Sequence, residues 1–99
     1  MILVRNVFQL KFGNTKEAVG LFKEAVGFAK AGGFGRSHRL LTDAVATFYT
    51  LVLELSFESM ADFEASSKAM MASKDWQAWY QKVVPLVESG HREIFTIVE

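Results

Sequence analysis

The sequence has no cysteine and only one proline, Pro85, in 99 residues. Without cysteine there is no disulfide framework, no thiolate nucleophile and no metal site with cysteine ligands. Basic and acidic residues balance at eleven each, so the formal net charge is zero. A nucleic-acid-binding protein normally carries a basic excess or a basic stripe. The composition therefore predicts no nucleic-acid partner.

Long apolar runs are missing as well. Polar residues such as Arg5, Thr50 and Glu54 interrupt the apolar stretches, which are far shorter than the roughly 18 residues that a membrane-spanning helix needs. The first residues also place no basic region ahead of their apolar run, as a signal peptide would. We therefore expect no membrane segment and a cytoplasmic location.

Apolar side chains, by contrast, are abundant. Hydrophobic residues make up 51% of the chain, and nine of its residues are phenylalanine. We expect one domain over residues 1–99, and a domain of this size buries only about 60–70% of the surface that its unfolded chain exposes. Burial against a second copy would cover part of the remaining apolar surface. The composition therefore favours a homodimer.

The first half of the chain predicts a strand, a helix and a second strand. Residues 2–12 are rich in β-branched and aromatic types, which is typical of a strand. Apolar residues then recur at helical spacing over residues 15–30. Asn14 and Glu17 match a capping box at the start of this helix, and the glycine pair at 32–33 can supply a left-handed C-cap.

The next two predicted strands differ in character. Residues 36–43 predict a polar strand, whereas residues 47–57 predict the most apolar strand of the chain. On the apolar strand, alternation places one nearly continuous apolar face on Tyr49, Leu51, Leu53, Leu55 and Phe57.

The end of the chain predicts a broken helix and a last strand. Helical residues run from about 60 to 71 after Ser59 as N-cap, and Ser73 restarts the helix. Pro85 lacks an N–H and is expected to kink or end it. Gly90 is expected to open the last strand, residues 91–99.

Each half is therefore a strand–helix–strand unit, and such units cross over right-handedly. Interleaving the two units gives an α+β, ferredoxin-like βαββαβ domain, a four-stranded antiparallel sheet with helices on one face. The first and third strands are the most apolar and are expected at the centre. The alternative is a different order of the same elements. Side-chain alternation turns Asn6 toward the helices and leaves Val7, Phe48 and Val52 on the open face, where we expect the dimer contact.

The chain resembles the dimeric α/β-barrel superfamily, which includes the antibiotic-biosynthesis-monooxygenase-like and NIPSNAP-like families. The resemblance lies in Val4-Arg-Asn6-Val-Phe8-Gln-Leu10 followed by Gly13 and a helix, in Thr50-Leu-Val-Leu-Glu54 leading to Ser59-Met-Ala-Asp-Phe63, and in the C-terminal Gly90-His-Arg-Glu-Ile94. It implies two sheets that form a barrel across the dimer, with a small pocket between sheet and helices in each subunit.

Members of the superfamily include cofactor-free oxygenases, haem-degrading enzymes, isomerases and decyclases, and many have no known activity. Haem-degrading members pair a first-strand asparagine with a helical tryptophan and a helical histidine. Asn6 matches the first of these, but no histidine occurs between residues 39 and 90. The haem ligand is missing, and we expect no cofactor.

Five residues are candidates for a ligand pocket. Asn6 would be a buried amide, which costs about 1–3 kcal/mol without a partner and so needs one. Tyr49, Trp76 and Trp79 could form aromatic walls, although such residues at helical spacing more often belong to an ordinary core. His38 could act as a base near its unperturbed pKa of about 6.5, but its polar strand between Arg36 and Arg39 favours a solvated edge position. Two histidines without placed carboxylates predict no metal site.

Two classes of function therefore stay open. In one, a non-catalytic homodimer binds a small apolar or aromatic molecule between sheet and helices, which is favoured because no acid–base pair is visible. In the other, a cofactor-independent monooxygenase or isomerase uses the same pocket.

Overall fold

The computed structural model describes all residues, 1–99, and forms one four-stranded sheet with helices on one of its faces. The elements in chain order are β1 (Ile2–Leu10), α1 (Thr15–Ala31), β2 (His38–Thr42), β3 (Thr50–Phe57), α2 (Met60–Met71), α3 (Lys74–Val83), a single 3₁₀ turn (Val84–Leu86) and β4 (Val87–Thr96). The strand order is β2-β3-β1-β4 and every pair is antiparallel. The predicted ferredoxin-like α+β fold is confirmed. No helix is both long enough and apolar enough to cross a membrane.

The core lies between the sheet and the helices. Val4 and Leu10 of β1 are almost completely buried there, together with Phe22 of α1 and Phe63 of α2. The apolar face of β3 joins them through Leu51, Leu53, Leu55 and Phe57. Because side chains alternate along a strand, Leu3, Arg5 and Val7 of β1 point to the face that no helix covers.

The predicted helix caps hold for α2 and α3 but not for α1. The hydroxyl oxygens of Ser59 and Ser73 each accept a backbone N–H bond of 3.1 Å from the third residue of the following helix. Asn14 makes no side-chain cap, so the predicted capping box with Glu17 is wrong. The turn through Gly13 binds the N–H of Asn14 to the Lys11 carbonyl at 3.2 Å and holds Asn14 out of the extended conformation that such a cap requires.

The end of α1 follows the prediction. Gly33 takes a left-handed conformation with φ of +71°, and the N–H of Phe34 reaches back to the carbonyl of Ala29 at 2.8 Å. This is the hydrogen-bond pattern of a Schellman motif. It turns the chain so that the Phe34 ring packs edge-on against Phe57 at 5.1 Å.

The start of β3 differs from the prediction. The strand begins at Thr50 instead of residue 47, because Tyr49 has a positive φ of 61° that breaks the alternation. Phe48 therefore lies in the β2–β3 connection and is 72% exposed, so its predicted place on the open sheet face is wrong. Similarly, β2 is shorter than predicted and spans only His38–Thr42.

The last strand starts earlier than predicted, and Gly90 lies inside it. Gly90 pairs with Phe8 of β1. A Cβ at this position would lie 3.1 Å from the carbonyl oxygen of Val7 and 3.3 Å from the Phe8 ring. Gly90 is thus a site of close approach between β1 and β4, and not the boundary of the strand.

Candidate functional site

A cavity of about 250 Å³ lies between the sheet and the three helices. Nineteen residues line it and sixteen of them are hydrophobic. The three that are not hydrophobic are Asn6 on β1, Ser67 on α2 and Arg92 on β4. A mostly apolar hollow with a few polar groups is the usual form of a small-molecule site.

Aromatic side chains form much of the wall, and their contacts fix their orientations. Phe22 packs against Phe8 with ring centroids 5.0 Å apart and meets Trp79 edge-on at 5.2 Å. The indole N–H of Trp79 donates to the carbonyl of Leu21 at 2.6 Å, so this polar edge is satisfied within the chain. Trp76 stacks on Tyr80 at 4.9 Å. The wall is therefore anchored to α1 and α3.

Asn6 and Arg92 form the main polar contact of the cavity. The antiparallel register places them directly opposite each other on β1 and β4. The Arg92 Nε–H donates to the Asn6 Oδ1 at 2.7 Å, and the Arg92 guanidinium lies over the ring of Phe63 with 5.2 Å between its Cζ and the ring centroid. A carboxylate within ion-pair distance, by contrast, accompanies Arg5, Arg36 and Arg39, but not Arg92.

The structure brings three of the five predicted site residues together. Asn6, Trp76 and Trp79 all line the cavity. Tyr49 does not, because its left-handed backbone turns the side chain onto Phe12 at 4.7 Å, beside a separate groove. His38 lies in another groove, where its Nε2 is 2.7 Å from the Phe34 carbonyl and donates to it. The structure therefore does not bring Tyr49 and His38 into the cavity with Asn6.

Sequence reasoning missed Arg92 and Ser67. Arg92 is one of several charged residues in a strand that the sequence marks as an edge. Only the pairing of β1 with β4 places it opposite Asn6. A register prediction for the two strands would have found it. Ser67 faces the cavity from the middle of α2 and has no distinguishing sequence context.

The open face of the sheet carries a row of alternating charge at its centre. Across the four strands the row reads Arg39, Glu54, Arg5 and Glu93. The Glu54 carboxylate accepts bonds of 2.8 Å from Arg5 and 2.7 Å from Arg39, and Arg5 also reaches Glu93 at 2.7 Å. Glu54 is only 6% exposed, although no helix covers this face.

The charge row shifts the acid–base properties of its central pair. Burial alone raises the pKa of the Glu54 carboxyl, but hydrogen bonds from Arg39 and Arg5 outweigh it and hold the pKa below its ordinary value of 4.5. The hydrogen bond to Glu54, followed by the one to Glu93, raises the pKa of Arg5 despite its partial desolvation. Glu54 and Arg5 are therefore both charged at neutral pH.

The cavity offers recognition groups but no proton acceptor of the usual kinds. Its lining contains no aspartate, glutamate, histidine or lysine. Nowhere does the chain gather three or more histidine, aspartate or glutamate side chains in the arrangement of a metal site. The arrangement can hold an apolar body against aromatic rings while the Arg92 guanidinium and the Asn6 amide meet a polar end.

Solved structures with the same fold include an uncharacterized NIPSNAP domain protein from Burkholderia xenovorans, with a TM-score of 0.87 and 16% identity over 99% of this chain and 95% of that one. A putative antibiotic biosynthesis monooxygenase from Nitrosomonas europaea has a TM-score of 0.81 at 13% identity, with 100% of both chains covered. SnoaB, a cofactor-independent oxygenase from Streptomyces nogalater, has a TM-score of 0.76 at 15% identity, covering 99% of this chain and 93% of that one.

At such low identity these neighbours show a shared fold and no more. A search of curated protein sequences finds no match to this chain. The model of the NIPSNAP family, however, matches residues 5–99, which is nearly the whole chain. The protein therefore belongs to the NIPSNAP family.

Proposed function

We propose that this chain binds a small apolar or aromatic molecule in the cavity between sheet and helices. The observation that carries the proposal is a hollow of about 250 Å³ whose lining is apolar in sixteen of nineteen residues. An apolar cavity of about 150 Å³ stays dry and binds benzene, so this larger hollow has room for a molecule of up to three rings. The function is binding, because the lining has no acid–base pair.

Tryptophan fluorescence tests the proposal directly. The chain has two tryptophans, Trp76 and Trp79, and both line the cavity. Titration with N-phenyl-1-naphthylamine, a neutral aromatic probe, should quench their emission while the emission of the probe rises. A saturating signal with one probe per chain supports binding in the cavity. No saturable signal up to the solubility limit of the probe contradicts it.

A matched pair of variants on α1 locates the signal. Ala25 lines the cavity, whereas Ala31, at the end of the same helix, is exposed and does not. Ala25→Phe should fill the hollow and weaken probe binding by about tenfold or more, since the displaced ligand loses its apolar contacts. Ala31→Phe should leave the affinity unchanged. Equal effects of the two variants would mean that the probe binds elsewhere.

The proposed state of the protein is a homodimer joined through the open sheet face. In the single chain this face presents Leu3, Val7 and Phe95 beside the charge row, and Phe95 is 50% exposed. The charges of the row satisfy one another within the sheet, which lowers the cost of covering them with a second copy. The same patch on both partners gives an isologous, two-fold contact.

Two substitutions with the same solvent exposure test the dimer. Phe95 on the open face and Val84 on the helical side are both 50% exposed. Phe95→Asp should shift light scattering from the mass of two chains to 11.1 kDa, because it places an unpaired charge in the contact. Val84→Asp should leave the dimer intact. A wild-type mass of 11.1 kDa at micromolar concentration would refute the dimer.

A second candidate is a cofactor-independent monooxygenase or isomerase that uses the same cavity. It is favoured by the Asn6–Arg92 pair, whose donors are of the type that stabilises a developing oxyanion. The substrate would have to ionise without a protein base. Oxygen uptake with an electron-rich phenol such as naphthalene-1,4-diol tests it. Uptake above the uncatalysed rate that is lost in Arg92→Gln supports catalysis, and uptake equal to the uncatalysed rate speaks against oxygenation.

A further inference from the structure

We infer that the molecule bound in the cavity carries a carboxylate, and that Arg92 recognises it. This inference rests on the proposed function, because it specifies the ligand of the same cavity. Arg92 is the one charged residue of the lining. It makes no ion pair, although Arg5, Arg36 and Arg39 all have carboxylate partners. An arginine that faces an apolar hollow without a counter-ion is complementary to an anionic ligand.

The way in which Arg92 is held favours a planar carboxylate. Its Nε–H is bound to the Asn6 Oδ1 at 2.7 Å and its guanidinium lies over the Phe63 ring, so the plane of the group is fixed. The two Nη atoms are left to donate to a ligand. A guanidinium with two free donors in a fixed plane matches the two oxygens of a carboxylate. Asn6 is thus a positioning residue for Arg92.

Charge balance argues against a phosphate in this site. A phosphate monoester carries nearly two negative charges at pH 7, and no lysine and no second arginine lines the cavity. One guanidinium matches the single charge of a carboxylate and would leave part of a phosphate dianion uncompensated at an apolar boundary.

The position of Arg92 also sets the orientation of the ligand. Arg92 is on the edge strand β4 and is exposed, whereas Phe22 in the aromatic wall is fully buried. The charged end of the ligand therefore lies at the mouth and its apolar body extends inward toward Phe22 and Trp79. The chemical class is an aromatic or aliphatic carboxylic acid of no more than about three rings in size.

Two probes that differ only at the polar end test this inference. Naphthalene-2-carboxylate and naphthalene-2-carboxamide share the same rings, and each is measured at pH 7 by displacement of N-phenyl-1-naphthylamine. The wild type should bind the carboxylate about tenfold more tightly than the amide, or more, which is the ratio that a charge-assisted hydrogen bond gives. Equal affinities would overturn the carboxylate assignment.

Two arginine variants identify the group responsible. Arg92→Gln should weaken carboxylate binding by about tenfold and change amide binding less than threefold. Arg36→Gln removes the same charge from a residue that pairs with Glu58 outside the cavity, and it should change neither affinity. If Arg92→Gln still binds the carboxylate more tightly than the amide, Arg92 does not recognise the carboxylate. The same conclusion follows if Arg92→Gln loses affinity for both probes equally.

The neutral probe distinguishes a failure of the proposed function from a failure of the carboxylate assignment alone. If N-phenyl-1-naphthylamine does not bind the wild type at all, the proposed function fails and this inference fails with it. If the neutral probe binds one per chain but the carboxylate has no advantage over the amide, the cavity stands as a binding site and only the carboxylate assignment is wrong. Probe binding by Arg92→Gln also shows that the variant is folded.

Discussion

The two faces of the sheet come from the same strands but are built on different chemistry. On β1, Val4 and Phe8 face the helices, whereas Leu3, Arg5 and Val7 face the uncovered side. The helical side hides its apolar residues under three helices and still leaves a hollow of about 250 Å³. The open side has a groove with a mostly polar lining near Val7, and paired charges close its centre.

The difference shows how a short chain can use both sides of one sheet. Lateral ion pairs with Arg5 and Arg39 on neighbouring strands satisfy the Glu54 carboxylate, which is only 6% exposed although no helix covers it. The helical side has a single polar pair of that type, Asn6 and Arg92, and it lies at the cavity. One side is therefore suited to a small ligand, and the other to a flat partner surface.

The largest expected effect concerns the packed part of the helical side. Phe57 is fully buried between Phe34 and Phe63, with ring centroids 5.1 Å away on both sides. Phe57→Ala should lower the free energy of unfolding by about 3–5 kcal/mol, measured by urea denaturation. Phe48→Ala removes a ring that is 72% exposed and should change it by less than about 1 kcal/mol. Similar losses in both variants would contradict the burial assigned to Phe57.

A smaller effect is expected where β4 approaches β1. Gly90→Ala places a methyl group 3.1 Å from the Val7 carbonyl oxygen and 3.3 Å from the Phe8 ring. This crowding should destabilise the fold by about 1–3 kcal/mol in the same urea assay. Gly27→Ala is the control, since nothing lies within 4 Å of a Cβ there and the position is helical. Gly27→Ala should stabilise the protein by about 0.5–1 kcal/mol. If both alanine variants change stability in the same direction, the result is inconsistent with the register of β1 and β4.

The charge row of the open side should contribute less to the free energy of unfolding than these packing contacts do. Glu54→Gln keeps the shape of the side chain but removes the charge that Arg5 and Arg39 share. We expect a loss of about 1–2 kcal/mol at pH 7, moderated because Arg39 is largely solvated. Glu58→Gln removes a carboxylate from an exposed pair with Arg36 and should cost less than about 0.5 kcal/mol. If the two variants are equally stable, the Glu54 carboxylate contributes no more to stability than the exposed Glu58 carboxylate does.

The pH dependence of stability provides the finest test of the same row. Because the folded pKa of Glu54 lies below its ordinary value of 4.5, the ionised carboxyl stabilises the folded state fully above that value. The contribution should fall as the pH drops through the folded pKa. Urea denaturation between pH 7 and pH 3 should therefore show a smaller acid loss for Glu54→Gln than for the wild type. If the free energy of unfolding falls equally with pH in the variant and the wild type, Glu54 does not cause the loss of stability in acid.

Much of the fold was predictable because local chemistry and side-chain periodicity agree. The β-branched and aromatic types of β1 and β3 predicted the central strands, and Ser59 and Ser73 predicted two helix starts. The errors occur where a neighbouring turn or a contact distant in sequence determines the backbone. At Asn14 the turn through Gly13 sets the backbone conformation, so the side chain does not cap α1. At Gly90 the close approach of the Phe8 ring explains a glycine inside β4.

The candidate site was predictable only in part for the same reason. Alternation along β1 turned Asn6 toward the helices, and helical spacing put Trp76 and Trp79 on an apolar face, which is where the cavity lies. Tyr49 was assigned by the same alternation, but its left-handed backbone lies before the strand, which begins only at Thr50. A rule with a period of two holds only as long as the extended conformation continues.

Composition and periods of two and 3.6 residues were sufficient to predict the class of the fold, the central strands and which side of β1 is apolar. The contacts of Asn6 with Arg92 and of Glu54 with Arg5 and Arg39 arise only when the strands pair in three dimensions. Those pairs depend on the register between strands that are distant in sequence. A shift of one residue would turn every one of these side chains to the other face.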